Sequence, residues 1–349
     1  MKTEIIKVDP ENIDEKIMKY CGEKIREGKL VCFPTETVYG LGANALDEKA
    51  IEGIFTAKGR PQDNPLIVHI AGYDMLDDIV KTTQREEILL RKLSDRFWPG
   101  PLTLIVTKDE SMSDVVTSGL NTVGVRYPSN SIAQTLINYA NVPIAAPSAN
   151  ISGKPSPTKA SHVIQDLTGK VDIIIDGGPC QVGLESTVLD IVSWPPIILR
   201  PGAVTQEDIS EVVIEVSEHG WQKEVDKPRS PGMKYKHYAP NAKITIYKGE
   251  ESKVASRIKE ELKNANNLGL NAFVLASEET LCYYNKEKAL SLGSRYNPLE
   301  QASRLYDCLR KFDELKADVV FAEAIENKGV GDAIMNRLYR AASGRLISI

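Results

Sequence analysis

Histidine is scarce in this chain. Four occur in 349 residues, at His69, His162, His219 and His237, too scattered for a multi-histidine metal centre. Cysteine is scarce as well: Cys21, Cys32, Cys180, Cys282 and Cys308 form no Cys-x-x-Cys pair, and an odd count argues against a zinc site or a disulfide framework. A reducing, cytoplasmic setting is the simplest expectation. No apolar run approaches the ~20 residues that span a bilayer. The N-terminus, MKTEIIKVDPENIDEKI, is interrupted by acids and does not read as a signal peptide. Positive charge is not in excess: 43 Lys and Arg against 48 Asp and Glu leave a formal net charge of −5, so the chain does not coat nucleic acid by bulk charge. The signatures G-x-x-x-x-G-K-[ST], H-E-x-x-H and G-x-S-x-G are absent, as are repeats and low-complexity tracts. G-L-G-A-N-A (40–45) fits the loose dinucleotide pattern. It stands several residues from the preceding strand, however, and no acid follows at the right distance.

What is present is an alternation of strand and helix signals, which predicts an α/β architecture. LVCF (30–33), PLIVHI (65–70), PLTLIV (101–106) and TVGVRYP (122–128) read as strands. The period of two places Leu66, Val68 and Ile70 on one face with His69 on the other, and Arg126 opposite Val123 and Val125. Between the first two strands Asp47 caps a helix that ends at Gly59 and is stopped by Pro61. Residues 217–242 carry glycine, prolines, cations and aromatics without a period and read as a linker. The expected division is a catalytic domain over 1–216, a linker or lid over 217–242, and a smaller Rossmann-like domain over 243–349. In the latter, Leu299, Ala302, Leu305, Leu309 and Phe312 line one side of a helix.

Chemistry concentrates in a few segments. Lys58 could simply complement a helix dipole, but Arg60 lies beyond the glycine and wedged before Pro61, where its planar fork suits a phosphate or carboxylate. PTETVYGLG (34–42) is either a Thr-rich turn capping its own backbone or a rim where Thr35 or Thr37 meets a polar substrate. His69 alone reads as a core histidine. Arg126, if buried, requires an anion. The proline-stiffened loop APSANISGKPSP brings Ser148, Asn150, Ser152, Lys154 and Ser156 together, and Ser186 and Arg200 stand at strand ends, where open α/β sheets bind ligands. Such a set suits a nucleoside triphosphate.

PTETVYGLG, AKGRPQDNPLIVHI, FWPGPLTLIV, VGVRYP, APSANISGKPSPT and GLESTVLDI…ILRPG, in that order, closely resemble the YrdC-like L-threonylcarbamoyladenylate synthases, and SPGMKYKHYAPNA followed by an α/β domain resembles their long form. The resemblance implies a twisted mixed open sheet around a concave basic cavity, with the C-terminal domain folding over it through the linker. It implies synthesis of threonylcarbamoyl-AMP from L-threonine, bicarbonate and ATP with Mg2+, releasing pyrophosphate. A transferase complex then carries the threonylcarbamoyl group to tRNA. Carried over residue by residue, it assigns Lys58, Arg60, Ser148, Asn150 and Arg200 to the ATP phosphates, with Lys58 and Arg60 stabilising the reacting phosphate. Asn64, Thr122, Ser156 and the linker's Tyr235 help to place the nucleotide. Thr35 or Thr37, His69, Arg126, Ser186 and the backbone at Ala146 fall to threonine. Two alternatives remain at this point: a non-catalytic module for double-stranded RNA or tRNA, and a related carbamoyl transferase.

Overall fold

A computed structural model of the chain describes residues 2–218 and 238–349. The chain divides into two compact units, Met1–Ser152 with Ser156–Lys234, and Gly153–Pro155 with Tyr235–Ile349. In the first, the strands are β1 (Glu4–Lys7), β2 (Val31–Phe33), β3 (Gly40–Asn44), β4 (Ile67–His69), β5 (Leu102–Thr107), β6 (Thr122–Arg126), β7 (Ile144–Ala145), β8 (Ile173–Asp176), β9 (Thr187–Asp190), β10 (Ile197–Arg200) and β11 (Ser217–Glu218). Its helices are α1 (Glu15–Arg26), α2 (Glu48–Lys58), α3 (Gln84–Phe97), α4 (Asp114–Thr117), α5 (Ser131–Ala140), α6 (Ala160–Leu167) and α7 (Gln206–Ser210). The strands form one mixed sheet in the order β1-β8-β2-β3-β7-β4-β6-β5-β9-β10-β11.

The pleat sorts side chains onto two different surfaces. Cys32, Leu66, Val68, Ile70, Leu104, Val123, Val125 and Ile174 lie in one large apolar core. On the opposite face, Val31, Phe33, Ile144, Ile173 and Ile175 pack with Met18, Cys21 and Ile25 of α1 and with Ile132, Leu136 and Ile137 of α5. That second core ends near β7. Beyond it, on β4, β5 and β6, the same face carries His69, Thr103, Thr122, Gly124 and Arg126, residues that join neither core. A polar patch on an otherwise apolar sheet is where a ligand can be met by rigid elements.

The decoy glycines at 40–45 are explained by packing. They form β3, which pairs antiparallel with β2, and a Cβ on Gly42 would lie 2.7 Å from Phe33 Cε1 and 2.8 Å from Ile144 Cγ2. Here glycine permits close approach within a sheet and serves no dinucleotide. Asp47 caps α2 as expected, accepting from the Lys49 and Ala50 N–H groups, and Gly59 closes it at φ 59°.

The second unit is a five-stranded parallel sheet of β12 (Lys243–Lys248), β13 (Ala272–Ala276), β14 (Ala289–Ser291), β15 (Val319–Glu323) and β16 (Leu346–Ser348), in the order β14-β13-β15-β12-β16. Its helices are α8 (Glu251–Asn267), α9 (Pro298–Glu314) and α10 (Val330–Ala341). Helix α8 packs Val254 and Ile258 against Val274 and Phe321. Phe312 of α9 meets Phe273 at 6.0 Å, and because Phe273 alternates with Val274, α9 covers the other face. The fourth strand in chain order sits between the second and the first, a departure from the usual Rossmann order. The expected stripe on α9 also needs correction: Ala302, Leu305, Leu309 and Phe312 are buried, but Leu299, in the first turn, is 57% exposed. Among the described residues no helix is long and apolar enough to cross a membrane.

Helices α1 and α5 approach so closely at Gly22 that an added Cβ would stand 2.6 Å from the Ala140 nitrogen, which is backbone and cannot rotate away. Gly22→Ala is therefore expected to lower stability by about 1–3 kcal/mol, read as a lower urea midpoint at unchanged m-value.

Candidate functional site

The buried cations are the starting point. Lys58, at the last turn of α2, is 2% exposed. Its Nζ donates to the carbonyls of Ser148 and, at 2.6 Å, Asn150. The Ser152 N–H in turn donates to Lys58 O at 2.9 Å, so the serine-rich loop is strapped to the helix end. Beyond Gly59 the chain turns back, and Arg60 donates to the carbonyls of Asn64 (3.1 Å) and Pro65 (3.2 Å). Asn64 is 1% exposed, and its Oδ1 has no hydrogen-bond partner among the described residues. On β10, Arg200 donates through Nε to Ser186 O (3.0 Å) and through an Nη to Ser186 Oγ (3.1 Å). The Ser186 and Thr103 hydroxyls share a hydrogen bond of 2.7 Å.

Arg126 ends β6 on the polar face. It is 4% exposed, and its guanidinium lies 2.7 Å from Glu36 Oε1, off-line for a hydrogen bond but well within ion-pair range. Its Nε donates to Gly100 O at 3.4 Å. Parallel pairing of β4 with β6 sets His69 beside Arg126. Burial, and then the Arg126 charge, push the His69 imidazole down from 6.5 to about 3, so the ring is neutral at physiological pH. Its Nδ1 has no partner among the described residues. Gly124 lies between Thr122 and Arg126 on this face, with the side chains of Ile105, Thr103 and Ile67 closing around the position a Cβ would take. Thr122 is four residues from Arg126, about 13 Å along the strand.

The loop 34–39 divides its hydroxyls between two jobs. The Thr35 hydroxyl donates to Val38 O (2.7 Å) and accepts from the N–H groups of Thr37 (3.1 Å) and Val38 (3.2 Å), so it is engaged in holding the turn. Since Thr35 donates to Val38, the 2.8 Å contact between the two threonine hydroxyls takes its proton from Thr37. The Thr37 oxygen can then accept from a ligand. This loop is tied down by distant segments: Val182 N–H to Glu36 O, Gly183 N–H to Thr37 O, and Tyr39 N–H to Pro157 O, at 2.8, 3.1 and 2.8 Å. The Ala146 N–H is engaged with Ile67 O at 2.9 Å, which leaves its carbonyl as the group able to serve a ligand. The Ser156 hydroxyl donates to the Glu185 carboxylate. Tyr235 lies outside the described residues.

Sequence reasoning found the cations and missed the acids. Glu36 and Glu185, 4% and 6% exposed, both lie inside quoted motifs. The available signal was the requirement that a buried arginine have an anion, and Glu36 adjoins Thr37 in PTETVYGLG.

The His69 shift carries a sign. Above pH 6.5 neither state binds a proton there. Between 6.5 and about 3 the unfolded chain takes one that the folded chain refuses, so stability falls as the pH drops through that window and levels off below it. His69→Gln is expected to flatten this part of the stability-versus-pH curve measured by urea denaturation.

A family profile described as "Telomere recombination" matches residues 23–202, and one described as "Threonylcarbamoyl-AMP synthase, C-terminal domain" matches 204–343. The chain is 48% identical over 341 residues to a threonylcarbamoyl-AMP synthase of Pyrococcus abyssi, covering 97% of this chain and 98% of the relative. It is 47% identical over 325 residues to one of Bacillus subtilis, covering 93% and 92%. A crystal structure of P. abyssi Sua5 complexed with L-threonine matches with a TM-score of 0.94 at 47% identity, over 99% of this chain and 100% of that one. With both profiles matched in order and full-length relatives at this identity, the chain belongs to the threonylcarbamoyl-AMP synthase family.

Proposed function

We propose that this enzyme makes threonylcarbamoyl-AMP from L-threonine, bicarbonate and ATP, releasing pyrophosphate, and that the buried Arg126–Glu36 pair marks the threonine end of its site. The pair is the observation that carries the assignment: a guanidinium held on a rigid strand, already facing a carboxylate and beside a neutral imidazole, with Thr37 the next residue after that carboxylate. The substrate's carboxylate takes the place of Glu36 on Arg126. Thr37, His69, Ser186 and the Ala146 carbonyl then address its amine and hydroxyl, while Thr35 keeps the turn in shape.

The nucleotide extends from there past Gly124 toward Thr122. Lys58, Arg60, Arg200, Ser148 and Asn150 meet the triphosphate. The Ser156–Glu185 pair repels phosphate and suits ribose hydroxyls, and the Asn64 amide oxygen, buried without a partner among the described residues, accepts from the nucleoside. Mg2+ enters as the ATP complex. Among the described residues no three His, Cys, Asp or Glu side chains gather to hold a metal, and triphosphate oxygens with water provide for such an ion.

In the reaction, the threonine amine captures carbon dioxide from bicarbonate to give a carbamate. A carbamate oxygen attacks the α-phosphorus in line, and pyrophosphate leaves. No side chain acts as a covalent nucleophile; positioning and electrostatic stabilisation carry the barrier. The product is a mixed anhydride, consumed by a transferase acting on tRNA.

Lys58→Ala and Arg60→Ala should each slow threonine- and ATP-dependent pyrophosphate release by about tenfold or more, as loss of a charged hydrogen bond implies; full activity in both would overturn the phosphate assignment. Glu36→Gln strips the counter-charge from Arg126, so the ligand-free protein should lose about 3–5 kcal/mol, and threonine should raise its Tm more than it raises that of the parent. A Glu36→Gln chain with parental Tm and an unchanged threonine response would sink the displacement.

A further inference from the structure

We propose that the second unit holds a ligand site of its own, built for a nucleoside monophosphate. The site uses none of the residues assigned above, so it stands or falls separately from the proposed reaction.

The topology places it. Strands β12 and β15 are parallel neighbours, yet the helices that follow them, α8 and α10, leave on opposite sides of the sheet. Helix α8 runs back toward β13, whereas α10 runs forward to β16, and right-handed crossovers in opposite directions cover opposite faces. The gap beyond the carboxyl ends of two such strands is the usual ligand crevice of an open α/β sheet. Here it is a cavity of about 440 Å³, floored by Tyr247 at the end of β12 and by Glu323 and Ala324 at the end of β15.

The inner wall is polar and incompletely paired. Gln301 on α9 is fully buried and lines the cavity; its Nε2 donates to Ser277 Oγ (3.3 Å) and Gly293 O (3.4 Å). Its Oε1 is buried with no hydrogen-bond partner among the described residues, and leaving such an oxygen unmade costs about 1–3 kcal/mol. Arg295 supplies the complement. One terminal nitrogen is held by Glu251 at 2.6 Å, while Nε, buried and 3.5 Å from Glu279 Oε2, lacks a hydrogen-bond partner among the described residues. Glu323 is already engaged by Ser277 N–H, the Thr280 hydroxyl and the Tyr284 hydroxyl, at 3.1, 2.6 and 2.8 Å, so it is structural. The wall therefore offers an acceptor, Gln301 Oε1, and a guanidinium nitrogen, Arg295 Nε, whose Glu279 neighbour makes an ion pair but no hydrogen bond; an acceptor and a donor are what the exocyclic amine and a ring nitrogen of a base such as adenine require.

The rim specifies the rest. Tyr296, 84% exposed, is a ring available for stacking. Lys248 and Lys328 stand there with Glu326, the one lining acid that makes no side-chain hydrogen bond or ion pair among the described residues, and that balance favours one phosphate over three. AMP has this chemistry, and it is the fragment set free when the threonylcarbamoyl group leaves the family's product.

The test titrates AMP into full-length Lys58→Ala/Arg60→Ala protein by calorimetry, which weakens phosphate binding at the first site, and the Gln301 and Tyr296 variants on that background report the second site. One equivalent should bind. Gln301→Leu on that background should weaken binding about tenfold, the value of one lost hydrogen bond. Tyr296→Ala, at a surface position that cannot unfold the protein, should also weaken it without moving the Tm. Inorganic phosphate should bind far more weakly than AMP. Absence of AMP binding, or parental affinity in both Gln301→Leu and Tyr296→Ala, overturns the site. Equal affinity for phosphate and AMP overturns the nucleotide in favour of a bare anion.

Discussion

Charge taken out of water must be met by oxygen, and the loops that surround the candidate site follow from that requirement. Lys58, Arg60, Arg126 and Arg200 are all less than a tenth exposed. Bare burial of any one would cost several kcal/mol. Each draws a loop to itself: Lys58 the segment 148–150, Arg60 its own return at 64–65, Arg200 the strand start at Ser186, Arg126 the turn containing Glu36. The loops that would cradle a polyanion are thus shaped by the same cations that would bind it. Preorganisation of this kind removes reorganisation from the reaction itself.

The sheet decides where this can happen. One face is apolar along its whole width. The other is apolar under α1 and α5 and again at Ile105, Val188 and Leu199, and the polar residues His69, Thr103 and Arg126 lie between these two apolar regions. Because the face is a strand surface, the spacing from Arg126 to Thr122 is fixed by the pleat, and Gly124 keeps the floor between them low. Backbone hydrogen bonds then fasten the hydroxyl loop to residues more than a hundred positions away, such as Pro157 and Val182.

These distances explain what could be read from the sequence. Local features were legible: the Asp47 cap, the αL Gly59, and the alternation that separates His69 and Arg126 from Val68 and Val125, because each depends on neighbours in the chain. Arg60 and Arg200 were legible because each directly precedes a proline, and Arg126 because a strand arginine, if buried, requires an anion. Features decided by tertiary contact were not. Residues 40–44 form a strand because Phe33 and Ile144 leave no room for a side chain at Gly42. Leu299 faces solvent although Gln301 and Ala302, two and three residues on, are fully buried. That the Thr35 hydroxyl is already engaged by the Val38 carbonyl and the Thr37 N–H is likewise not visible in PTETVYGLG, where either threonine could cap the turn.

Glu36 has one more consequence. A carboxylate attached to the same chain sits at its guanidinium with an effective concentration in the millimolar range or higher. A rival from solution that offers a carboxylate and nothing else gains no more from Arg126 than the resident group does, and must also give up its free translation. An acid that brings an amine and a hydroxyl to the neighbouring oxygens and imidazole gains contacts the resident cannot make. If Arg126 receives the substrate's carboxylate as proposed, the tethered group would act as a threshold: acetate-like molecules would be turned away, and selectivity for an amino acid would be established before any nucleotide chemistry begins.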